Sequence, residues 1–183
     1  RVRLVDTTGA ASPEAIRSNV SAPPVPSLLR GFSAPVRLEF DYTDAELAFL
    51  AAQVLRTATP RVVVLGKHEA KLDAFRAIGI ETAASGAWEG MADVVVECSG
   101  SPSGFAAAVA AVRPRGTIVL KTTCAEPVPM DTSRVVVNEV TVIGSRCGPF
   151  DVAIDLLARG AVAVDPLIDA TMPLSRGVDA LAR

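Results

Sequence analysis

What most constrains the fold of this chain is a series of short, continuously apolar runs spaced by stretches of helical composition. Val62-Val63-Val64-Leu65, Val94-Val95-Val96 and Gly116-Thr117-Ile118-Val119-Leu120 show no alternating polar face, so a sheet built from them must be covered on both sides. Between them, residues 69–78 and the Ala-rich residues 103–112 read as helices, and Gly79 is placed to end the first of these in a left-handed turn. Alternation of this kind folds as a parallel sheet, because two parallel strands need a crossover long enough to hold a helix. Residues 62–158 are therefore predicted to form one α/β structure, a parallel sheet with helices on both faces. Half of the residues are hydrophobic but only 4% are aromatic. Ala, Val, Leu and Ile must then fill the interior, which suits close packing of helices on a sheet.

The flanking regions are less regular. Residues 80–83 read as a short strand, Val135-Val136-Val137 and residues 140–143 as further strands, and residues 150–158, after Gly148-Pro149, as a helix. Upstream, Asp41-Tyr42-Thr43-Asp44 offers N-cap side chains, and Glu46 stands three residues after Thr43 as in a capping box. A helix is predicted over residues 45–57, with Leu47, Leu50, Ala51, Val54 and Leu55 on its apolar face. Val36-Arg37-Leu38-Glu39-Phe40 alternates apolar and charged residues, the period of a strand with one wet face. It is expected at an edge of the sheet or displaced from it, since a central position would bury Arg37 and Glu39. Prolines at 13, 23, 24, 26 and 35 break the first 35 residues into extended segments and loops, and Pro166, Pro173 and Gly177 divide the tail into an extended piece and a last helix.

Charge and rare residues narrow the function classes. A formal charge of −2 with no Lys/Arg block gives no electrostatic footprint for nucleic acid or an anionic membrane surface. The apolar runs are far shorter than the roughly 20 residues of a membrane-spanning helix, and no signal peptide is visible. The three cysteines, Cys98, Cys124 and Cys147, are too widely spaced for a disulfide framework or a CxxC site. They suggest reduced thiols and a cytoplasmic location. His68 is the only histidine, so a catalytic zinc held by several imidazoles cannot be built from this chain, and no zinc is expected in it. Ser99-Gly100-Ser101-Pro102-Ser103-Gly104 does not match the Gly-x-Ser-x-Gly nucleophile turn. No catalytic residue is assigned.

Ligands of parallel sheets gather where strands end and helices begin. The strand ends here read Gly66-Lys67-His68, Glu97-Cys98-Ser99-Gly100, Lys121-Thr122-Thr123 and Gly144-Ser145-Arg146-Cys147-Gly148. Gly, Ser, Thr, Lys and Arg can approach phosphates and sugar hydroxyls closely, although each alone also serves as an ordinary turn or solvated residue. Over about residues 50–183 these motifs, with Ala92-Asp93-Val94-Val95-Val96-Glu97-Cys98-Ser99-Gly100 and Val112-Arg113-Pro114-Arg115-Gly116-Thr117-Ile118-Val119-Leu120-Lys121, resemble the medium-chain dehydrogenase/reductase family, the alcohol dehydrogenase superfamily. The resemblance implies NADP or NAD bound by a Rossmann domain, beside a separate GroES-like catalytic domain that often carries zinc. It would place Gly66, Lys67 and His68 around the adenosine ribose and Ser99 and Gly100 on the adenine side. Lys121, Thr122, Ser145 and Arg146 would lie near the nicotinamide. Leu65 stands where an acid would favour the NAD ribose, so the Gly-Lys-His turn leans toward a 2′-phosphate.

The chain departs from that family in the turn after its first Rossmann strand. Thr43-Asp44-Ala45-Glu46-Leu47-Ala48 has none of the glycines of GxGxxG and carries two carboxylates at the pyrophosphate position, so weak binding is expected. Residues 24–50, from Pro24-Val25-Pro26-Ser27-Leu28-Leu29-Arg30-Gly31-Phe32 onward, resemble a segment of aminopeptidase N that lacks the HExxH zinc motif. The chain thus reads as a join of two sequences. The expected organisation is an irregular, extended segment over 1–49, a Rossmann-like domain over 50–165, and a tail over 166–183 that resembles the return to a catalytic domain. The expected function is a nicotinamide-dinucleotide-binding fragment of an alcohol dehydrogenase-like oxidoreductase, without its catalytic domain. A noncatalytic α/β remnant or interaction module, and less so a zinc aminopeptidase fragment, stay open, as does a homo-oligomer.

Overall fold

The computed structural model describes residues 2–5, 36–40, 45–121, 123–124, 126–168 and 170–182. They fall into two compact units, Ala22–Val162 and a smaller one made of Arg1–Ser21 with Ala163–Arg183. In the smaller unit β1 (Val2–Val5) pairs in parallel with the strand Ala170–Pro173, and the short helix Gly177–Leu181 packs on both.

The larger unit holds β2 (Val36–Phe40), α1 (Ala45–Arg56), β3 (Val62–Gly66), α2 (Glu69–Ala77), β4 (Glu81–Ala84), β5 (Ala92–Cys98), α3 (Pro102–Ala111), β6 (Val112–Leu120), α4 (Thr132–Val137), β7 (Thr141–Gly144) and α5 (Phe150–Ala158). Its sheet is parallel throughout, in the order β4-β3-β2-β5-β6-β7. The predicted parallel α/β architecture is thus present. Val95 and Val96 point to opposite faces of β5, and each face has its own cover. On one, Val95 and Ile118 pack with Phe105, Ala108 and Val109 of α3. On the other lie α1 and α2, joined by an edge-to-face contact of Phe49 with Phe75 at a centroid distance of 5.3 Å.

Three local expectations are corrected. The strand expected at an edge, Val36–Phe40, lies in the centre, hydrogen-bonded in parallel to β3 on one side and β5 on the other. Connectivity overrides its alternating pattern: a strand joined by a helix to β3 pairs beside β3, and with β4 on the other side of β3, β5 adds to the free edge of β2 and encloses it. Val135-Val136-Val137, expected as a strand, closes α4. The Asp131 carboxylate accepts a hydrogen bond from the Arg134 amide at 3.2 Å, and the turn at Glu139, φ +50°, returns the Val140 amide to the Val135 carbonyl. A capped, closed turn prevails over three β-branched residues that would otherwise favour a strand. Finally, α1 rests on the sheet through Ala48, Phe49, Ala52 and Leu55, of which only Leu55 belongs to the stripe predicted for it. Leu47, Leu50, Ala51 and Val54 are half-buried and line a cavity of about 240 Å³ with Val96, Lys121 and the α5 residues Val152, Ala153 and Leu156.

β6 starts earlier than expected because it opens with a bulge. Ala92 pairs with Val112 and Val94 with Thr117, so residues 113–116 stand against Asp93 alone. The bulge is pinned by Arg113, which donates to the buried Asp93 carboxylate, and by the Arg115 amide on the Asn138 carbonyl at 2.7 Å.

Candidate functional site

The register of the sheet aligns its carboxyl edge. Ala83, Leu65, Glu39, Glu97, Leu120 and Gly144 are successive partners across the strands β4, β3, β2, β5, β6 and β7. The residues that follow each of them leave the sheet at one level. The chain's direction of travel reverses between β2 and β5, since β3 and β4 lie on one side of β2 and β5, β6 and β7 on the other. The helix N-termini on either side of such a point leave a crevice outside the strand ends, where open α/β sheets take their ligands.

On the β3 side, Gly66 is buried at its strand end and its carbonyl accepts the Ser85 amide at 2.9 Å. Lys67 is exposed, and His68, also exposed, is the N-cap residue of α2 with extended φ and ψ of −114° and 108°. Beyond the reversal, Ser99 is 2% exposed and Gly100 takes a left-handed φ of +65°. Ser99 Oγ accepts the Ser101 amide at 3.1 Å and lies 3.1 Å from Ser101 Oγ. Lys121, Ser145 and Arg146 come together: the Lys121 ammonium donates to the Ser145 carbonyl at 3.5 Å and to the Arg146 carbonyl. Two edge bonds extend the ladder past the strands, Lys121 N to the Glu97 carbonyl at 3.0 Å and Ser145 N to the Leu120 carbonyl at 2.9 Å. Thr122 lies outside the described residues. The expected site residues that are described therefore share one edge, in two groups flanking β2.

Sequence reasoning gave no role to Glu97, a carboxylate 5% exposed at the end of the buried run Val94-Val95-Val96. Its Oε1 accepts the Ser99 amide at 2.6 Å. The available signal was its own improbability, since a glutamate closing a buried β-branched run needs hydrogen-bond partners to be tolerated. At the start of α1, Ala48 is fully buried, as a small residue must be where helix and strand approach closely, while Ala45 and Glu46 occupy its first turn.

No three His, Cys, Asp or Glu side chains among the described residues converge to hold a metal ion. Cys98 is buried, Cys124 half-buried and Cys147 exposed. Among the described residues the donors of a structural or catalytic zinc are thus not brought together. Among the described residues, no helix is long and apolar enough to cross a membrane.

Comparison with known proteins agrees with this architecture. Residues 47–159 match the family model described as zinc-binding dehydrogenase. A protein of Rhizobium meliloti (strain 1021) named "Putative D-xylulose reductase" is 35% identical over 130 residues, covering 69% of this chain and 38% of its own length. The chain spans about two-fifths of the length of the curated relatives it matches first. Among solved structures, L-idonate 5-dehydrogenase of Escherichia coli superposes with a TM-score of 0.71 at 20% identity, over 81% of this chain and 46% of that one. A "putative zinc-binding dehydrogenase" of Sinorhizobium meliloti 1021, bound to NADP, gives 0.72 at 22% identity, over 86% and 52%. At those identities the structures speak for the fold alone. The family model covers more than half of the chain, across the reversal point and the strand ends on both sides of it, and the chain belongs to the zinc-binding dehydrogenase family.

Proposed function

We infer that this chain is the nicotinamide-dinucleotide-binding half of an alcohol dehydrogenase-like oxidoreductase, taking NADP or NAD across the carboxyl edge of its sheet. The observation that carries this reading is the registered edge, which sets Gly66, Lys67 and His68 on one side of the reversal and Ser99, Gly100, Lys121, Ser145 and Arg146 on the other. In this reading the first group meets the adenosine ribose, Ser99 and Gly100 meet the adenine, and the last three, with Thr122, meet the nicotinamide end. Lys67 is exposed beside the ribose position and no acid ends β3, which favours a 2′-phosphate. When bound, the cofactor supplies hydride chemistry, and the relatives named D-xylulose reductase and sorbitol dehydrogenase support a sugar or polyol as the whole protein's substrate. Its three widely spaced cysteines, Cys98, Cys124 and Cys147, suit a cytoplasmic protein.

The residues present fit the two ends of the dinucleotide better than its middle. Ala48 keeps the close helix approach that the third glycine of the turn would allow, but Ala45 adds a Cβ and Glu46 a carboxylate at the helix N-terminus. A pyrophosphate there loses part of its amide cradle and meets like charge, so binding is weak. This weakness also favours a second reading, a noncatalytic α/β interaction module. The aminopeptidase N-like stretch ends where the family match begins, which supports reading the chain as a join of two sequences.

Titrating the chain with NADP and NAD, followed by amide chemical shifts, separates the readings. Dissociation constants on the order of millimolar, with shifts confined to the carboxyl-edge turns, are expected. Micromolar binding would show that the substituted turn does little harm, and no shifts at about 20 mM cofactor would favour the interaction module.

A further inference from the structure

We propose that Glu97 is a positioning residue that sets the adenine-side turn of the site. This rests on the dinucleotide reading above and adds to it a residue with an assigned task. β5 is otherwise built from Ala, Asp93 at its bulge, Val and Cys, and every residue in it is buried. A carboxylate at its carboxyl end is costly to desolvate unless donors meet it. Glu97 and Ser99 stand two apart, and Oε1 takes the Ser99 amide at 2.6 Å, the first amide past the strand. Ser99 Oγ in turn accepts the Ser101 amide at 3.1 Å, and between them Gly100 sits at φ +65°. A relay of hydrogen bonds thus runs from the glutamate through the turn to the residue before α3.

Space around this relay is tightly limited. A Cβ on Gly104, in the first turn of α3, would lie 1.9 Å from Ser99 Oγ and 2.6 Å from Glu97 Oε1, so helix, turn and carboxylate are in direct contact. The backbone of Glu97 reaches the Lys121 side of the site, since the Glu97 carbonyl accepts the Lys121 amide at 3.0 Å. Glu97 therefore joins the two groups of site residues beyond the reversal, its side chain ordering the adenine-side turn and its carbonyl the Lys121 end. Only the first task depends on the side chain.

That division makes the proposal testable with half-ligands on the whole chain: 2′,5′-ADP for the adenosine end and nicotinamide mononucleotide for the other, each titrated by saturation-transfer NMR alongside thermal denaturation. Glu97→Gln keeps an acceptor for the Ser99 amide and should bind both probes within about threefold of the unsubstituted chain. Glu97→Leu removes the acceptor, and Glu97→Asp withdraws it by one methylene. Either should weaken 2′,5′-ADP at least fivefold and leave nicotinamide mononucleotide within about twofold. Should the leucine variant fail to fold, the aspartate variant carries the same comparison. Unchanged 2′,5′-ADP binding in these variants, or equal loss of both probes in step with the melting temperature, would overturn the positioning role while leaving the dinucleotide reading intact. An unsubstituted chain that binds neither probe overturns that reading, and the proposal with it.

Discussion

Two glycines show how much single atoms decide in this structure. A Cβ on Gly116 would stand 2.6 Å from Val112 Cγ2, 2.8 Å from the Arg113 carbonyl and 2.9 Å from the Asp93 carbonyl. Two of those neighbours are backbone of the bulge itself, so they cannot swing aside. Gly144 has nothing within 4 Å of the same position. Gly116→Ala is expected to cost about 2–3 kcal/mol, as overpacking does, whereas Gly144→Ala should stay within about 0.5 kcal/mol of the parent. Urea denaturation of the two variants measures the difference, and equal midpoints would refute the bulge account. At this scale the sequence was readable where a residue type has few uses. Gly79 ends α2 with φ +72° as expected of a glycine there. Glu97 was not readable, because the partner that makes it tolerable is a backbone amide two residues on, which composition cannot display.

Among elements, α1 is the most instructive. Both of its long sides are apolar, and periodicity selects the wrong one as the face on the sheet. The stripe of Leu47, Leu50, Ala51, Val54 and Leu55 has the better helical spacing, yet of these only Leu55 is buried, together with Phe49 and its neighbours. Phe49 reaches Phe75 of α2 as well as the sheet, and no spacing rule within one helix can anticipate a partner 26 positions away. Phe49→Ala should then cost about 3–5 kcal/mol and Leu50→Ala, which only lines the half-open cavity, about 1 kcal/mol. Thermal or chemical denaturation that ranks the two the other way would reinstate the predicted face. The same distinction separates what was legible elsewhere. Continuously apolar runs announced β3, β5 and the second half of β6, but not the bulge with which β6 opens. The seat of β2 is a property of chain connectivity, and the helical end of residues 135–137 depends on the Asp131 cap and the turn at Glu139.

At the scale of the molecule, the described residues of the larger unit leave apolar surface exposed at Val136 and Val137 and, most extensively on one helix, over α5. Only Leu156 of that helix is buried, while Phe150, Val152, Ile154 and Leu157 are each 42% exposed or more. So much apolar surface on one short helix favours association in water. Replacing Phe150 and Ile154 by Lys should lower the binding of a hydrophobic dye such as ANS at least twofold and raise solubility, with the melting temperature moved by no more than about 3 °C. Unchanged dye binding would show that the exposed surface lies elsewhere. The carboxyl-edge grouping was legible as a pattern of turns, but its alignment was not, because the register that lines up Leu65, Glu97, Leu120 and Gly144 is set between strands distant in sequence.

That alignment has a consequence for how the molecule can change. Every described residue of the proposed site leaves the sheet at one edge, so the turns at residues 57–61, 78–80 and 138–140, which lead into β3, β4 and β7 at the other edge, are separated from it by the length of the strands. A strand of five residues spans roughly 17 Å. Insertions, tags or drifting sequence at those turns can accumulate without reaching the ligand. The sheet acts as a firebreak, leaving one rim free to diverge while the proposed site on the other stays put.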